Sequence, residues 1–202
     1  MDQAAYFRQM RERRRQEILD MAKEMFLTED PKSFTMQKLA DRLDISTVTL
    51  YKYFKNSDDI IREIVRTILK NDRQFLMQVS EKEDPLENLL DTLEEFFRRM
   101  HENRKENALL FLFDAYTRQT EASRTNPEFE RYMEDKIRQG QKAGEIRTDK
   151  TAEELWAYIS QTNLAVIQHV SLLAEEEYQK SRENIGRWTA MLLDSYRVYL
   201  CV

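Results

Sequence analysis

Apolar residues recur at three- and four-residue spacing along most of the chain, which predicts helices and no strand. Ile18, Met21, Ala22, Met25 and Phe26 follow the i, i+3, i+4, i+7, i+8 pattern of one buried face. Asp30-Pro31 is expected to end that helix. Two short helices follow. Thr35 is the N-cap of the first, with Phe34 and Leu39 at the spacing of a hydrophobic staple and Leu43 one turn further on. Ser46 starts the second in the same way, flanked by Ile45 and Leu50. Helices of about two turns do not persist alone in water, because nucleation is too costly. They must dock on the Ile18 helix, closing a three-helix core that includes Leu39, Leu43, Leu50 and Phe54.

The same signals continue downstream. Ser57-Asp58-Asp59 is the predicted start of a fourth helix, with Ile60, Ile61, Ile64, Val65, Ile68 and Leu69 along it, reaching about Val79. Asp84-Pro85-Leu86-Glu87 is a cap, a first-position proline and an acid in the first turn. Asn103-Arg104-Lys105 breaks the helix it opens, and an apolar helix follows over Leu109–Tyr116. Asn126-Pro127-Glu128 opens another, which stops at Ala143-Gly144 with Gly144 at C′. Thr151 and Glu154 form a capping box for a long helix carrying Leu155, Trp156, Ile159, Val166, Ile167 and Val170. Ser181–Leu200 is the last. The expected architecture is all-α, with about nine helices.

The second short helix carries the clearest chemistry. At about 100° per residue, Leu50 and Phe54 share the inward face, while Val48 and Lys52 lie opposite and Thr47, Tyr51, Thr49 and Tyr53 flank them. Threonine, valine, tyrosine and lysine together suit a DNA groove: methyls for thymine, hydroxyls for phosphates and a cation for guanine or phosphate. This is a helix-turn-helix, with Ser46–Phe54 as the recognition helix. Residues 18–61 resemble the DNA-binding domain of TetR-type transcriptional regulators. The resemblance lies in Ile18-Leu19-Asp20, Ala22, Phe26, Phe34-Thr35, Leu39-Ala40, Ile45-Ser46, Thr49-Leu50-Tyr51, Tyr53-Phe54 and Ile60. Three positions depart from the family pattern: Asp44 stands in place of a turn glycine, Tyr53 in place of a histidine and Asp58 in place of a lysine. Asp tolerates left-handed backbone better than most residues, so the turn is expected to survive. With Lys absent at 58, Lys55 and Tyr53 are expected to take phosphate contacts, with Thr35 and Thr49 as hydroxyl donors.

Composition narrows the picture further. Charged residues make up 34% of the 202 positions, with 3 Gly and 3 Pro, a profile of helical proteins. The charge is uneven, at net +2 over residues 1–56 and net −7 over the remainder. An acidic total disfavours a general nucleic-acid coat but permits one DNA-facing end. Arg8, Arg11, Arg13, Arg14 and Arg15 crowd the N-terminus. They read either as a solvated helix start or as an arm on phosphates or in the minor groove, which would add Arg11, Arg14 and Arg15 to the DNA contacts. The only cysteine is Cys201, which fits a reducing cytoplasm. No apolar run approaches 18 residues and the N-terminus has no apolar signal core, so neither a membrane span nor a secretory leader is expected.

Enzyme readings find no support. The two histidines, His101 and His169, lack a Glu three residues upstream, and glycines occur only at 140, 144 and 186. A di-iron motif, a paired-cysteine zinc site, a P-loop and a nucleophile elbow are therefore all absent. Neither a cofactor nor a metal is expected.

The expected organisation is a DNA-binding domain over 1–56 and a helical effector-binding and dimerisation domain over 57–202. The last two helices are apolar on broad faces and need two partners each. The resemblance implies a homodimer through them, with Val166, Val170, Trp188, Leu192 and Tyr196 at the interface; burial within one subunit is the alternative. Phe96, Phe97, Met100, Phe111, Tyr116 and Trp156 read as core or, as a group, as the lining of a pocket for a small apolar or aromatic effector. Asn163 and His169 are its candidate polar contacts. The resulting expectation is a ligand-responsive repressor on a palindromic operator in double-stranded DNA. A helical adaptor that keeps its helix-turn-helix unused is the alternative.

Overall fold

The computed structural model describes residues 3–30, 33–78, 83–117 and 127–201, with the backbone alone for 72, 73, 112–117 and 127. Among these residues there are nine α-helices and no strand. They are α1 (Gln3–Thr28), α2 (Met36–Arg42), α3 (Thr47–Tyr51), α4 (Ser57–Leu76), α5 (Pro85–Glu102), α6 (Arg104–Thr117), α7 (Pro127–Ala143), α8 (Ala152–Leu172) and α9 (Glu175–Leu200). The chain divides into two compact units, Met1–Ile68 and Leu69–Val202.

In the first unit Ile18, Leu19, Ala22, Met25 and Phe26 of α1 are buried with Leu39, Ala40, Leu50, Phe54 and Ile60. Met21 and Leu43, expected in the same core, are half-buried. Thr35 Oγ1 accepts from Lys38 N at 3.1 Å and caps α2. Phe34 stacks on Phe26, with ring centroids 4.3 Å apart. Asp44 carries the turn between α2 and α3 at φ 52°, the left-handed conformation that the family glycine would adopt. Ile45 N closes that turn on Ala40 O at 3.0 Å. The cap of α4 is Asn56 rather than the expected Ser57, since its Oδ1 accepts from Asp59 N at 2.9 Å. Asp58 and Asp59 still occupy the positive end of the helix.

In the second unit α5 packs on α7 and α9, α6 runs along α8, and α7 packs on α8. One apolar cluster joins Leu89, Leu93, Met133, Ile137, Leu155, Trp156, Ile159 and Tyr196. Another joins Phe97, Met100, Val170, Tyr178 and Ile185, and Phe96 packs against both. Asp84 caps α5 and the Thr151–Glu154 box opens α8, as their spacing predicts. Gly144 ends α7 at φ 78°. Gly140 permits a close approach, because a Cβ there would lie 2.5 Å from Ile146 Cδ1.

Beyond α3, three helix limits differ from the expected ones. α4 stops at Leu76, and Gln78 N turns back to Phe75 O at 2.9 Å. α6 begins at Arg104 rather than Leu109, because Asn103 both ends α5 and accepts the first α6 bond, from Asn107 N at 2.9 Å. The Arg104 side chain is buried, with Nη1 donating to Leu173 O at 2.8 Å and Nη2 paired with Glu175. α9 begins at Glu175 rather than Ser181. Three glutamates sit on its positive end and Tyr178 anchors its first turns in the core.

Candidate nucleic-acid interface

The short helix α3 is held from three sides. Ser46 Oγ accepts from Thr49 N at 3.0 Å, and the Ser46 and Thr49 hydroxyls lie 2.8 Å apart. Leu50 and Phe54 drive one face into the core. Beyond Tyr51 the helix tightens, with Tyr53 N and Phe54 N both donating to Leu50 O, at 3.0 and 3.2 Å. Regular helix therefore ends at Tyr51 rather than Phe54, but the facing of the side chains is as the periodicity predicts. Val48 is 68% exposed, Tyr51 53% exposed and Lys52 exposed, while Thr47 is half-buried beside them. Thr35, Ser46 and Lys55 are exposed at the ends of the same motif, and Thr49 and Tyr53 are half-buried. The unit thus presents methyls, hydroxyls and an ammonium on one capped helix.

The basic stretch is not an extended arm. It is the first half of α1. A hollow of about 840 Å³ lies elsewhere, in the second unit; the one beside α1, of about 750 Å³, is lined by Phe7, Met10, Arg11, Arg13, Arg14, Glu17 and Tyr53. Arg11, Arg14 and Tyr53 are thereby brought together. Arg11 is exposed, and Arg14 pairs with Glu17 at 2.7 Å, which holds the Glu17 carboxyl below its usual range.

Arg15 departs from the expectation that it accompanies Arg11 and Arg14 toward DNA. Its guanidinium is spent inside the unit. Nε donates to Glu63 Oε1 at 3.1 Å, Nη2 pairs with Glu63 Oε2, and Nη1 donates to Tyr53 O at 3.0 Å. The group lies 4.2 Å from the centroid of the Phe54 ring. Glu63 escaped notice in the sequence because it lies 48 residues from Arg15 and sits in an ordinary helix pattern.

The second unit redistributes the remaining candidates. Phe97 and Met100 lie in one apolar cluster and Trp156 in the other, and Phe96 packs against both. Phe111 is buried, and the Tyr116 side chain lies outside the described residues. Trp156 Nε1 donates to the Glu130 carboxylate. Asn163, expected as a ligand contact, is buried and accepts from Tyr196 OH at 2.8 Å. His169, expected in a core or pocket, is exposed beside Trp188, with ring centroids 6.5 Å apart. Among the described residues no three His, Cys, Asp or Glu side chains gather as a metal site, and no helix is long and apolar enough to cross a membrane.

The expected dimer residues divide in the same way. Val170 and Tyr196 are buried in the unit's own core and offer nothing to a partner. Burial also pushes the Tyr196 hydroxyl pKa up. Val166 and Leu192 are half-buried against the core, and Trp188 is 54% exposed. On the same two helices Met191 and Val198 of α9 and Tyr158 and Leu172 of α8 are also exposed. A helical wheel contains part of the signal, since 191 and 198 fall opposite 178, 189, 196 and 200, with 188 on the flank between the two sets.

Comparison with known proteins agrees with the all-α fold and its helix-turn-helix. Residues 18–64 match the family of bacterial regulatory proteins described as the tetR family. An uncharacterised HTH-type transcriptional regulator of Mycobacterium tuberculosis is 29% identical over 87 residues, which is 43% of this chain and 43% of that relative. A TetR-family transcriptional regulator from Pectobacterium atrosepticum has a similar structure, with TM-score 0.73, 16% identity and coverage of 96% of this chain and 97% of that one. The ketosteroid transcriptional regulator KstR2 of Mycobacterium tuberculosis gives TM-score 0.58 at 17% identity, covering 90% and 94%. At these identities the structural likeness is one of fold.

Proposed function

From the match of residues 18–64 to the tetR family of bacterial regulatory proteins as premise, we propose that the chain is a TetR-family regulator: a ligand-responsive repressor that binds a palindromic operator as a homodimer in the cytoplasm. The observation that carries this reading is the outward face of α3: Thr47, Val48, Tyr51 and Lys52 stand clear of a core that Leu50 and Phe54 anchor. A major groove accepts such a helix, and hydroxyl, methyl and ammonium groups read base edges there. Thr35, Ser46, Thr49, Tyr53, Lys55, Arg11 and Arg14 surround that face as phosphate contacts, which set the register.

The two-fold comes from the second unit. Trp188, Met191 and Val198 on α9 and Tyr158 and Leu172 on α8 are large apolar groups exposed to solvent, and a second copy would cover them. Two heads on one axis match paired half-sites. A small apolar or aromatic effector, taken up among the aromatic helices of the second unit, would release DNA by favouring a different spacing of the heads.

A selection from random duplex DNA tests the reading. An enriched inverted repeat is the expected result. Flat enrichment that vanishes as salt rises would mean that the helix-turn-helix goes unused, as in an adaptor protein.

A further inference from the structure

A recognition helix of five residues is little more than one turn, and its own hydrogen bonds cannot fix its rotation. The Ser46 cap sets its first turn, and Leu50 sets its depth. The C-terminal end needs another constraint, because the last carbonyls of a helix have no partner within it. Arg15 supplies that constraint from α1. Its guanidinium plane lies against the Phe54 ring at 4.2 Å, Nη1 satisfies Tyr53 O at 3.0 Å, and Nε and Nη2 fork onto the Glu63 carboxylate of α4. Helices α1 and α4 and the turn that leaves α3 therefore meet at one planar group. The positive charge of Arg15 is matched by Glu63, so the pair adds no net attraction toward phosphate. Lysine would not substitute, since a single ammonium cannot stack on a ring and bond three acceptors in a plane.

Resting on the regulator reading above, we propose that Arg15 is a positioning residue for operator recognition: it sets the rotation of α3 through Tyr53 O, Phe54 and Glu63, and it does not contact DNA. The residues that read bases, Val48 and Lys52 above all, owe their direction to this tie. Loosening it lets α3 turn and blurs the specific contacts, while the exposed cations that attract any duplex stay in place.

The test uses the full-length protein and two probes, the duplex that the wild-type protein enriches most and a scrambled duplex of the same composition. Arg15→Gln should weaken binding to the enriched duplex by roughly tenfold, a loss of base contacts. Binding to the scrambled duplex and the slope of log K against log salt should not change. Glu63→Gln should weaken enriched-duplex binding in the same direction, and the double variant should lose less than the sum of the singles. Arg15→Lys should not restore it. Arg11→Gln is the contrasting control: it should weaken both duplexes alike and lower the slope by about one counterion per subunit. Parallel losses on both duplexes with a lowered slope in Arg15→Gln would overturn the proposal, because that is the signature of a phosphate contact. Tighter binding by Glu63→Gln would overturn it too, since removing an acid beside a DNA contact strengthens attraction. Circular dichroism melts confirm that each variant is folded at the assay temperature; if Arg15→Gln is not, the sign of the Glu63→Gln effect decides. Failure of the wild-type protein to enrich any sequence would instead sink the regulator reading itself.

Discussion

Two of the helices that place large apolar groups in water, α3 and α9, do so in different company. On α3, Val48 and Tyr51 stand among Thr47, Thr49 and Lys52 on a helix of five residues. On α9, Trp188, Met191 and Val198 line one side of a helix of 26 residues. The first face mixes methyls with donors and a cation, which matches a partner whose own surface is polar with apolar patches. The second sets three apolar groups along a long rod, which on the proposed reading would meet a second copy. The supports differ as well. A long helix is held in direction by its own bonds and by Tyr178, Ile185, Tyr196 and Leu200 in the core. The short one depends on side chains from its neighbours. Exposure alone therefore does not identify a function; the neighbouring chemistry and the length of the element together distinguish a reading face from an assembly face.

The largest expected effect separates the two faces outright. Trp188→Glu should yield folded monomers with operator affinity lower by at least about a hundredfold, since linking two binding heads is worth roughly 10²–10⁴. Tyr196→Phe, at a buried site, should leave the dimer intact. Sedimentation that finds the Glu variant dimeric would take Trp188 out of the interface. Next comes the reading face. Lys52→Ala or Thr47→Ala should cost about 1–3 kcal/mol on the preferred duplex and alter which base is favoured, with oligomeric state unchanged. Equal weakening on every duplex would assign these residues to the backbone instead.

A smaller effect belongs to the exposed acid at the start of α4. Asp58 stabilises that helix end by about 0.3–1 kcal/mol through the dipole. On the docking implied by the resemblance it also faces DNA. Asp58→Lys should tighten binding to all duplexes and steepen the salt dependence by roughly one counterion per subunit, with slightly lower thermal stability. An unchanged slope would show that this end of α4 stays clear of phosphate. The smallest expected change is at the turn: Asp44→Gly should raise stability by up to about 1 kcal/mol, because glycine adopts φ 52° without strain, with no change in base preference. A thermal melt with no gain would mean that the Asp44 side chain offsets its own strain.

The amino-acid sequence by itself determined that the chain is helical, four of the caps and the inward face of each short helix. Thr35, Ser46, Asp84 and the Thr151–Glu154 pair all bond as their spacing indicates. Such bonds join residues three apart, so the local chain contains everything needed to form them. The turn at Asp44 and the direction of Val48 and Lys52 were legible for the same reason. Only the tertiary structure decided what lies across from each helix. Arg15 looked like its basic neighbours until Glu63, Tyr53 and Phe54 closed around it. Tyr196 and Asn163 read as an interface residue and a ligand contact, yet they satisfy each other inside one unit. His169 read as buried on an apolar helix, yet it faces solvent. Periodicity tells which residues share a face, but a helix with apolar groups on several sides leaves open which face meets its own core. That choice is made by packing between segments distant in sequence, where burial of the best-fitting surfaces wins over any local preference.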